Sequence, residues 1–349
     1  GVVERKSTLP ILTHVLLESE QHLQLTGTDT EIEVQATCSA QVIQAGSTTL
    51  PARKLLDICR TLPEHAELEL SCHGDKAYLR SGKSRFQLGS LPSQDFPRLQ
   101  LDTQVAAQTT PLQAGQLRSV IEHAHYAMAQ QDVRYYLNGL LLELGTGRLR
   151  GVASDGHRLA LCENSLTADF PIIQALISRK AVLELLKQLD DPALEVQLTL
   201  SKQALRLQLP EVIFLSKLID ASYPDYNRVI PTPSGRTLTG SRVELREALA
   251  RVAVLSSDKF NSVVMTLTPE NANICLRNPE QEEAQEELTL HYHGEGNLEV
   301  GYNVKYILDA LNALAGEHIQ LDFAEHTQAA LLRDPNEPSA LAVVMPMRI

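Results

Sequence analysis

Apolar residues recur at helical intervals in two places along the chain, at Val182, Leu185, Leu186 and Leu189 and again at Val304, Ile307, Leu308 and Leu311. Spacings of three and four put one side of a helix into a core, and Ser178 and Asn303 just upstream can accept from the first free N–H groups. The two strings, SRKAVLELLKQL and NVKYILDALNAL, align with a third, PARKLLDICRTL from Pro51. Their lysines Lys54, Lys180 and Lys305 lie 126 and 125 residues apart, so the pattern predicts three copies of one unit.

Two further landmarks keep that period. TLPILTHVLLE from Thr8, VRYYLNGLLLEL from Val133 and NSVVMTLTP from Asn261 each predict a strand-rich stretch, with Leu16, Leu141 and Met265 aligned at spacings of 125 and 124. In LQLTGTDTEIEV, LRGVASDGHRLAL and ICLRNPEQEEAQEELTL, residues Asp29, Asp155 and Asn278 fall at a turn between strands. An earlier helix is predicted from Ala114 to Gln130 through Leu117, Val120, Ile121, Ala124 and Met128. Its counterpart runs from Ser241 to Ser257, where Ser241 and Glu244 have capping-box spacing. The first copy has no room for this helix after Gly1 and no starting Met, so roughly one strand and one helix are expected to be missing there.

A period near 125 is far longer than the roughly 20 to 50 residues of solenoid repeats, so each copy can own a core. The chain is read as α+β, three tandem repeats with two helices packed on antiparallel sheets, divided as 1–106, 107–234 and 235–349. The polar stretch after Pro97 (RLQLDTQVAAQTT) and the proline-rich Pro231 to Gly235 mark the joints.

Composition alters this picture in one respect. With 43 % hydrophobic and 21 % charged residues over 349 positions, the chain has the make-up of a soluble globular protein of two or three domains. No run of about 18 apolar residues and no signal-peptide pattern occurs, so no membrane is expected and the cytoplasm is the default. Five cysteines without a C-x-x-C pair are read as reduced and structural. The respect that matters is charge. The chain carries −12, yet the five predicted helices hold eleven Lys and Arg against six Asp and Glu. Helix propensity and charge pairing can produce such faces by themselves. The other reading is a basic wall that holds a polyanion without reading its sequence.

Ser154, Asp155 and His157 stand together in SDGHR, but residues two or three apart on a turn cannot line up a hydroxyl, an imidazole and a carboxylate, and no G-x-S-x-G elbow exists. His123-Ala-His125 and His291-Tyr-His293 lack a third ligand of convincing spacing. No P-loop and no complete G-x-G-x-x-G occur, so no catalytic residue, metal or cofactor is assigned.

Five strings carry a family resemblance: QDVRYYLNG (Gln131 to Gly139), ASDGHRLA (Ala153 to Ala160), YPDYNRVIP (Tyr223 to Pro231), NPEQEEAQEE (Asn278 to Glu287) and VVMPMRI (Val343 to Ile349). In this order, across the whole chain, they resemble the bacterial DNA polymerase III beta subunit family, the sliding clamps. The resemblance implies a head-to-tail homodimer closed into a ring, helices lining the hole, that encircles double-stranded DNA without sequence specificity. Such a ring catalyses nothing and tethers the replicative polymerase as a processivity factor. The alternative is an acidic interaction scaffold that never encircles DNA.

By the same resemblance, peptides of the DNA polymerase III alpha subunit, the clamp loader, other polymerases and repair proteins would bind a cleft at Leu137, Ser154, Gly156, His157, Arg158, Leu159, Pro224, Arg228, Val229, Val343, Val344, Met345, Pro346, Met347 and Arg348. DNA would meet Lys6, Arg53, Gln131, Tyr135, Tyr136 and Lys180, with one of the adjacent tyrosines buried by alternation. Asn261 departs from the arginine that family members can carry, which leaves one phosphate contact of the third repeat open. The subunit joint would set Lys83, Arg85, Phe86 and Leu88 of one copy against Val254, Leu255, Glu282, Glu283, Glu286 and Glu287 of the other.

Overall fold

In each repeat the polypeptide makes the same four-strand turn before it enters a helix. This emerges from a computed structural model, which describes residues 1–4, 6–99, 107–167, 169–232, 234–325, 327 and 329–349. In chain order, the first repeat holds β1 (His14–Ser19), β2 (Leu23–Thr28), β3 (Ile32–Cys38), β4 (Gly46–Pro51), α1 (Ala52–Thr61), β5 (Glu69–His73), β6 (Lys76–Ser81) and β7 (Ser84–Gly89). The second holds β8 (Gln108–Gln113), α2 (Ala114–Ala124), β9 (Gly139–Gly145), β10 (Arg148–Ser154), β11 (Arg158–Ser165), β12 (Ile173–Ser178), α3 (Arg179–Leu186), β13 (Glu195–Leu200), β14 (Ala204–Gln208) and β15 (Val212–Lys217). The third holds β16 (Arg236–Ser241), α4 (Arg242–Val252), β17 (Ser262–Leu267), β18 (Ala272–Arg277), β19 (Glu283–Leu288), β20 (His291–His293), β21 (Leu298–Asn303), α5 (Val304–Ala313), β22 (His318–Phe323), β23 (Ala330–Asp334), β24 (Glu337–Val344) and β25 (Pro346–Met347).

The antiparallel order β4-β1-β2-β3 recurs as β12-β9-β10-β11 and as β21-β17-β18-β19, and each fourth strand runs straight into α1, α3 or α5. The middle turn is closed by the same chemistry three times. Asp29 Oδ1 accepts from the N–H groups of Glu31 and Ile32, Asp155 Oδ1 from those of His157 and Arg158, and Asn278 Oδ1 from that of Glu282. The expected caps form as well: Ser178, Ser241 and Asn303 accept from the N–H groups of Ala181, Glu244 and Lys305.

Strand pairing corrects two of the alignments by one residue. His14, Gly139 and Ser262 each pair with the residue that caps the following helix, Pro51, Ser178 and Asn303. Leu16 and Leu141 are therefore matched by Val264, and Met265 points to the opposite face. Counting from the same caps, Arg53 rather than Lys54 is the counterpart of Lys180 and Lys305. The predicted earlier helices also end sooner, at Ala124 and Val252, each followed by a single 3-10 turn. Only Cys162 of the five free cysteines is buried; Cys38, Cys59 and Cys72 are exposed, so the structural reading fits Cys162 alone.

The chain divides into two compact units, Gly1–Ala114 with Leu183–Gln188 and Ala193–Leu218, and Gly115–Val182 with Leu189–Pro192 and Ile219–Ile349. In the first, β3 pairs with β15, giving the eight-stranded sheet β4-β1-β2-β3-β15-β14-β13-β8, while β5-β6-β7 forms a separate sheet. In the second, β11 pairs with β24 in the same way, giving β12-β9-β10-β11-β24-β23-β22-β16-β20, while β19-β18-β17-β21-β25 stands apart. The expected joint near 106 and Pro233 of the second joint lie outside the described residues. Among the described residues, no helix is long and apolar enough to cross a membrane.

The register makes Glu33, Leu159 and Glu283 equivalent: each faces the last residue of the preceding strand, Thr28 of β2, Ser154 of β10 and Arg277 of β18. At the first junction Glu33 is 1 % exposed and accepts from the Leu99 N–H at 2.8 Å, with Arg98 Nε 3.6 Å away, so the chain's own segment covers that position. At the second, Leu159 leaves an apolar floor.

His14 is buried at the start of β1, its Nδ1 3.0 Å from Thr49 Oγ1, and burial holds its pKa below the ordinary histidine value. A histidine kept neutral by the fold stabilises fully above its unfolded pKa of about 6.5, and the contribution is lost progressively as pH falls from that value through the lower folded one. The denaturation midpoint of the wild type should therefore drop more between pH 7.5 and 5.5 than that of His14→Gln. Equal drops would remove His14 from the account.

Candidate functional site

Around Leu159 the second unit builds an apolar basin. Leu141, Val152, Leu159, Leu161, Leu176, Tyr226, Leu331 and Val343 form one buried cluster, and Tyr136, Tyr223, Ile230 and Met345 pack onto it half-buried. Each fully buried aliphatic side chain contributes roughly 1.5–3 kcal/mol, so the basin is a stable element of the fold and its upper surface is set by it. Above it opens a pocket of about 80 Å³ lined by Ser154, Gly156, His157, Arg158, Val229, Val343 and Met345. All seven are among the expected cleft residues. They come from the β10–β11 turn, the strand β24 with the residue after it, and the coil after β15; the β11–β24 pairing brings the first two together.

The turn that forms the pocket's rim is fixed on both sides. Ser154 Oγ donates to the Arg158 carbonyl at 2.7 Å and accepts from the Gly156 N–H at 3.1 Å. Gly156 has φ +89°, a left-handed conformation that favours glycine, and the Arg134 guanidinium packs close to where a Cβ would sit. The Met345 N–H donates to the His157 carbonyl at 2.9 Å, which ties the rim to the C-terminal segment. Arg158 is 13 % exposed and fully occupied: Nε donates to Asp155 Oδ2, Nη1 to Asp309 Oδ2 and Nη2 to the Tyr126 carbonyl, while the guanidinium lies 4.4 Å from the Tyr306 ring centre. Its part in the cleft is therefore to hold shape.

The coil wall carrying Pro224 and Val229 is nailed down by Tyr226. Its hydroxyl donates to buried Glu143 at 2.8 Å and accepts from Arg150 Nη1 at 2.8 Å, and burial raises the phenol's pKa, so the donor persists at neutral pH. Of the remaining expected cleft residues, Leu137 and Val344 are buried, and Pro224 and Arg228 are exposed on the wall, with Arg228 paired to Asp225. Pro346 and Met347 form β25 on the edge of β21, and exposed Arg348 follows them, so these three stand beside the pocket rather than in its lining. Sequence reasoning missed Tyr126, Tyr226, Tyr306 and Asp309. Tyr226 sat inside YPDYNRVIP, and Tyr306 and Asp309 inside NVKYILDALNAL, but nothing in the spacing marked them or Tyr126 as parts of the site.

A larger pocket of about 380 Å³, with Thr239, Ser241, Thr289, His291 and His318 in its lining, lies elsewhere in the same unit.

Among the residues expected to face DNA, Lys6 and Arg53 are exposed in the first unit, Arg53 beside Asp57 at 3.4 Å. In the second, Lys180 is exposed and Gln131 sits at φ +56° in a loop held by paired bonds between Asp132 and Asn138. Tyr135 is 57 % exposed while Tyr136 packs on the basin; one of the pair is covered as expected, but by a 3-10 turn over Tyr135–Asn138 rather than by strand alternation. Asn261 donates to the Asp258 carbonyl of its own loop.

For the joint, Phe86 and Leu88 share the inner face of β7 and Lys83 and Arg85 are exposed at and before its start. Val254 is 80 % exposed and Leu255 partly so. Glu286 is held by Arg251 of α4 and Glu283 by Arg277, which keeps both carboxyls below their ordinary range; Glu282 and Glu287 lie at the surface.

Ser154, Asp155 and His157 close a turn, and His157 stacks on Tyr306, so no nucleophile–base alignment arises. His123 and His125 donate through Nδ1 to the carbonyls of Ser119 and Ile121, and among the described residues no group of three or more metal-ligating side chains gathers.

Comparison with known proteins agrees with this geometry. The chain matches the N-terminal, central and C-terminal domain models of the DNA polymerase III beta subunit over residues 1–100, 111–225 and 227–348. It is 43 % identical to the beta sliding clamp of Vibrio cholerae and 41 % to that of Escherichia coli K12, covering all of this chain and 95 % of each relative. The crystal structure of the DNA polymerase III subunit beta from Pseudomonas aeruginosa superposes with a TM-score of 0.95 at 40 % identity, over all of this chain and 95 % of the other. The polymerase sliding clamp from Caulobacter crescentus does so with 0.93 at 34 %, again over all of this chain and 95 % of the other. With three repeats of one strand order, an apolar basin at their second junction and similarity along its whole length, the chain belongs to the DNA polymerase III beta subunit family, the beta sliding clamps.

Proposed function

We propose that two copies of this chain, each of three repeats meeting near 106 and 234, close head to tail into a ring around duplex DNA in the bacterial cytoplasm. The ring acts as a non-catalytic processivity factor, and the ATP chemistry of loading belongs to its partners. Helices line the hole; Lys6, Arg53, Gln131, Tyr135, Tyr136 and Lys180 touch phosphate and unpaired bases weakly enough to slide. The basin above Leu159 receives short peptides of the polymerase III alpha subunit, the clamp loader, other polymerases and repair proteins.

The observation that carries the ring is the pair of unfilled strand edges. Inside the chain, a third strand pairs twice with the last strand of a hairpin, β3 with β15 and β11 with β24. The third counterparts, β19 and β7, are both at sheet edges. Applying the register of the first two junctions, where Glu33 faces Leu215 and Leu159 faces Val343, puts Glu283 opposite Gln87 of a second copy. Gln285 then meets Arg85, Glu287 meets Lys83, and Ala284 meets Phe86 on the other face. Acidic and basic edges match, which steers association and blocks pairing of like edges.

The test is topological. After loading by the clamp loader with ATP, the protein should stay on closed circular DNA through gel filtration and leave when a single cut linearises the circle. Equal retention on both forms would favour the scaffold that never encircles DNA.

A further inference from the structure

The three repeats supply an internal control for one ion pair. Counted from the helix caps, Asp57 of α1, Glu184 of α3 and Asp309 of α5 occupy the same position. In the first two repeats the carboxylate is satisfied within its own helical segment, Asp57 by Arg53 at 3.4 Å and Glu184 by Lys187. In the third, the corresponding base of the helix, Lys305, is paired with Asp258 instead, and Asp309 reaches Arg158, 151 residues away on β11.

Arg158 is the residue whose backbone carbonyl and N–H close the rim of the basin, through Ser154 Oγ and Asp155 Oδ1. Its guanidinium is nearly buried, and its two carboxylate partners are Asp155, three residues away in the same turn, and Asp309. A charge this buried requires its partners, so removing one drives the group toward water and moves the backbone that carries it.

We propose that Asp309 is a positioning residue of the cleft: by holding the Arg158 guanidinium against Tyr306 and Tyr126 it fixes the 154–158 turn in the shape that receives a partner peptide, without touching that peptide. The proposal rests on the cleft reading above. It also makes α5, the helix that carries Lys305, part of the cleft's framework, so a residue on a helix expected to face DNA helps to set affinity for protein partners.

The test uses the full chain and a fluorescein-labelled peptide bearing the clamp-binding segment of the polymerase III alpha subunit, followed by anisotropy. Asp309→Asn should weaken binding about five- to twentyfold, Asp309→Glu should recover most of it, and Asp57→Asn, which breaks the equivalent pair on α1, should change nothing. Arg158→Lys combined with Asp309→Asn should be no weaker than Arg158→Lys alone, because both act through one contact. Wild-type affinity in Asp309→Asn, additive losses in the double variant, or a loss that Asp57→Asn reproduces along with a lowered melting point would each overturn the proposal. If the wild type itself fails to bind the peptide, the cleft reading falls and takes this one with it.

Discussion

Deletion of Met345 to Ile349 is expected to abolish binding of polymerase peptides while leaving the dimer intact. Met345 lines the pocket and its N–H is bonded to the His157 carbonyl, so its loss removes both a wall and a brace of the rim. Met347 lies beside it on β25, 38 % exposed. Flexible thioethers suit a surface that several partners must share. Burying two such side chains under a ligand contributes roughly 1.5–3 kcal/mol each, so affinity should fall by about 100-fold or more. The dimer should survive because β25 and β19 are opposite edges of one five-stranded sheet. Anisotropy titration with light scattering measures both quantities, and unchanged peptide affinity would refute the cleft.

Charge reversal at the joint should have an effect of similar size with the opposite selectivity. In the inferred register Lys83 of one copy faces Glu287 of the other, so Lys83→Glu sets like charges across two strands. Cross-strand charge pairs are worth roughly 0.2–1 kcal/mol and like charges cost as much, giving about 0.4–2 kcal/mol at each joint. A closed ring has two identical joints, so the dimer should weaken roughly fourfold to several hundred-fold. Glu287→Lys alone should do the same, and the double variant should dimerise again. Sedimentation at low concentration reads the outcome; a double variant no better than either single would reject this register. Peptide binding per chain should be untouched throughout, since the basin lies in one chain.

The repeat was legible because it is written in local chemistry: caps at Ser178 and Asn303, apolar spacing in α3 and α5, and an Asp or Asn that closes each middle turn. The one-residue slip at Met265 arose because a run of apolar residues such as Val263, Val264 and Met265 has no alternation to fix its register; only the ladder to β21 does. The slip at Lys54 arose because Arg53 stands beside it, and only counting from Pro51 tells the two apart. The pocket residues on the β10–β11 turn and at the C-terminus were readable through strings. Asp309, Tyr306 and Tyr126 were not, because a partner 151 residues distant leaves no trace in spacing. The coil wall's Pro224, Arg228 and Val229 were readable through YPDYNRVIP, but the anchoring role of Tyr226 was not, its partners Glu143 and Arg150 lying on strands far upstream.

The different residues at one equivalent position have a consequence for traffic on DNA. Where the second repeat has Leu159, the first has Glu33 covered by the chain itself and the third has Glu283 held by Arg277. On the proposed reading, a ring of two copies would offer two berths among its six domains. With a polymerase in one, a single vacancy would be left, where a repair enzyme could wait on the same ring. Handover would then need no second loading event, only the release of one short peptide and the arrival of another.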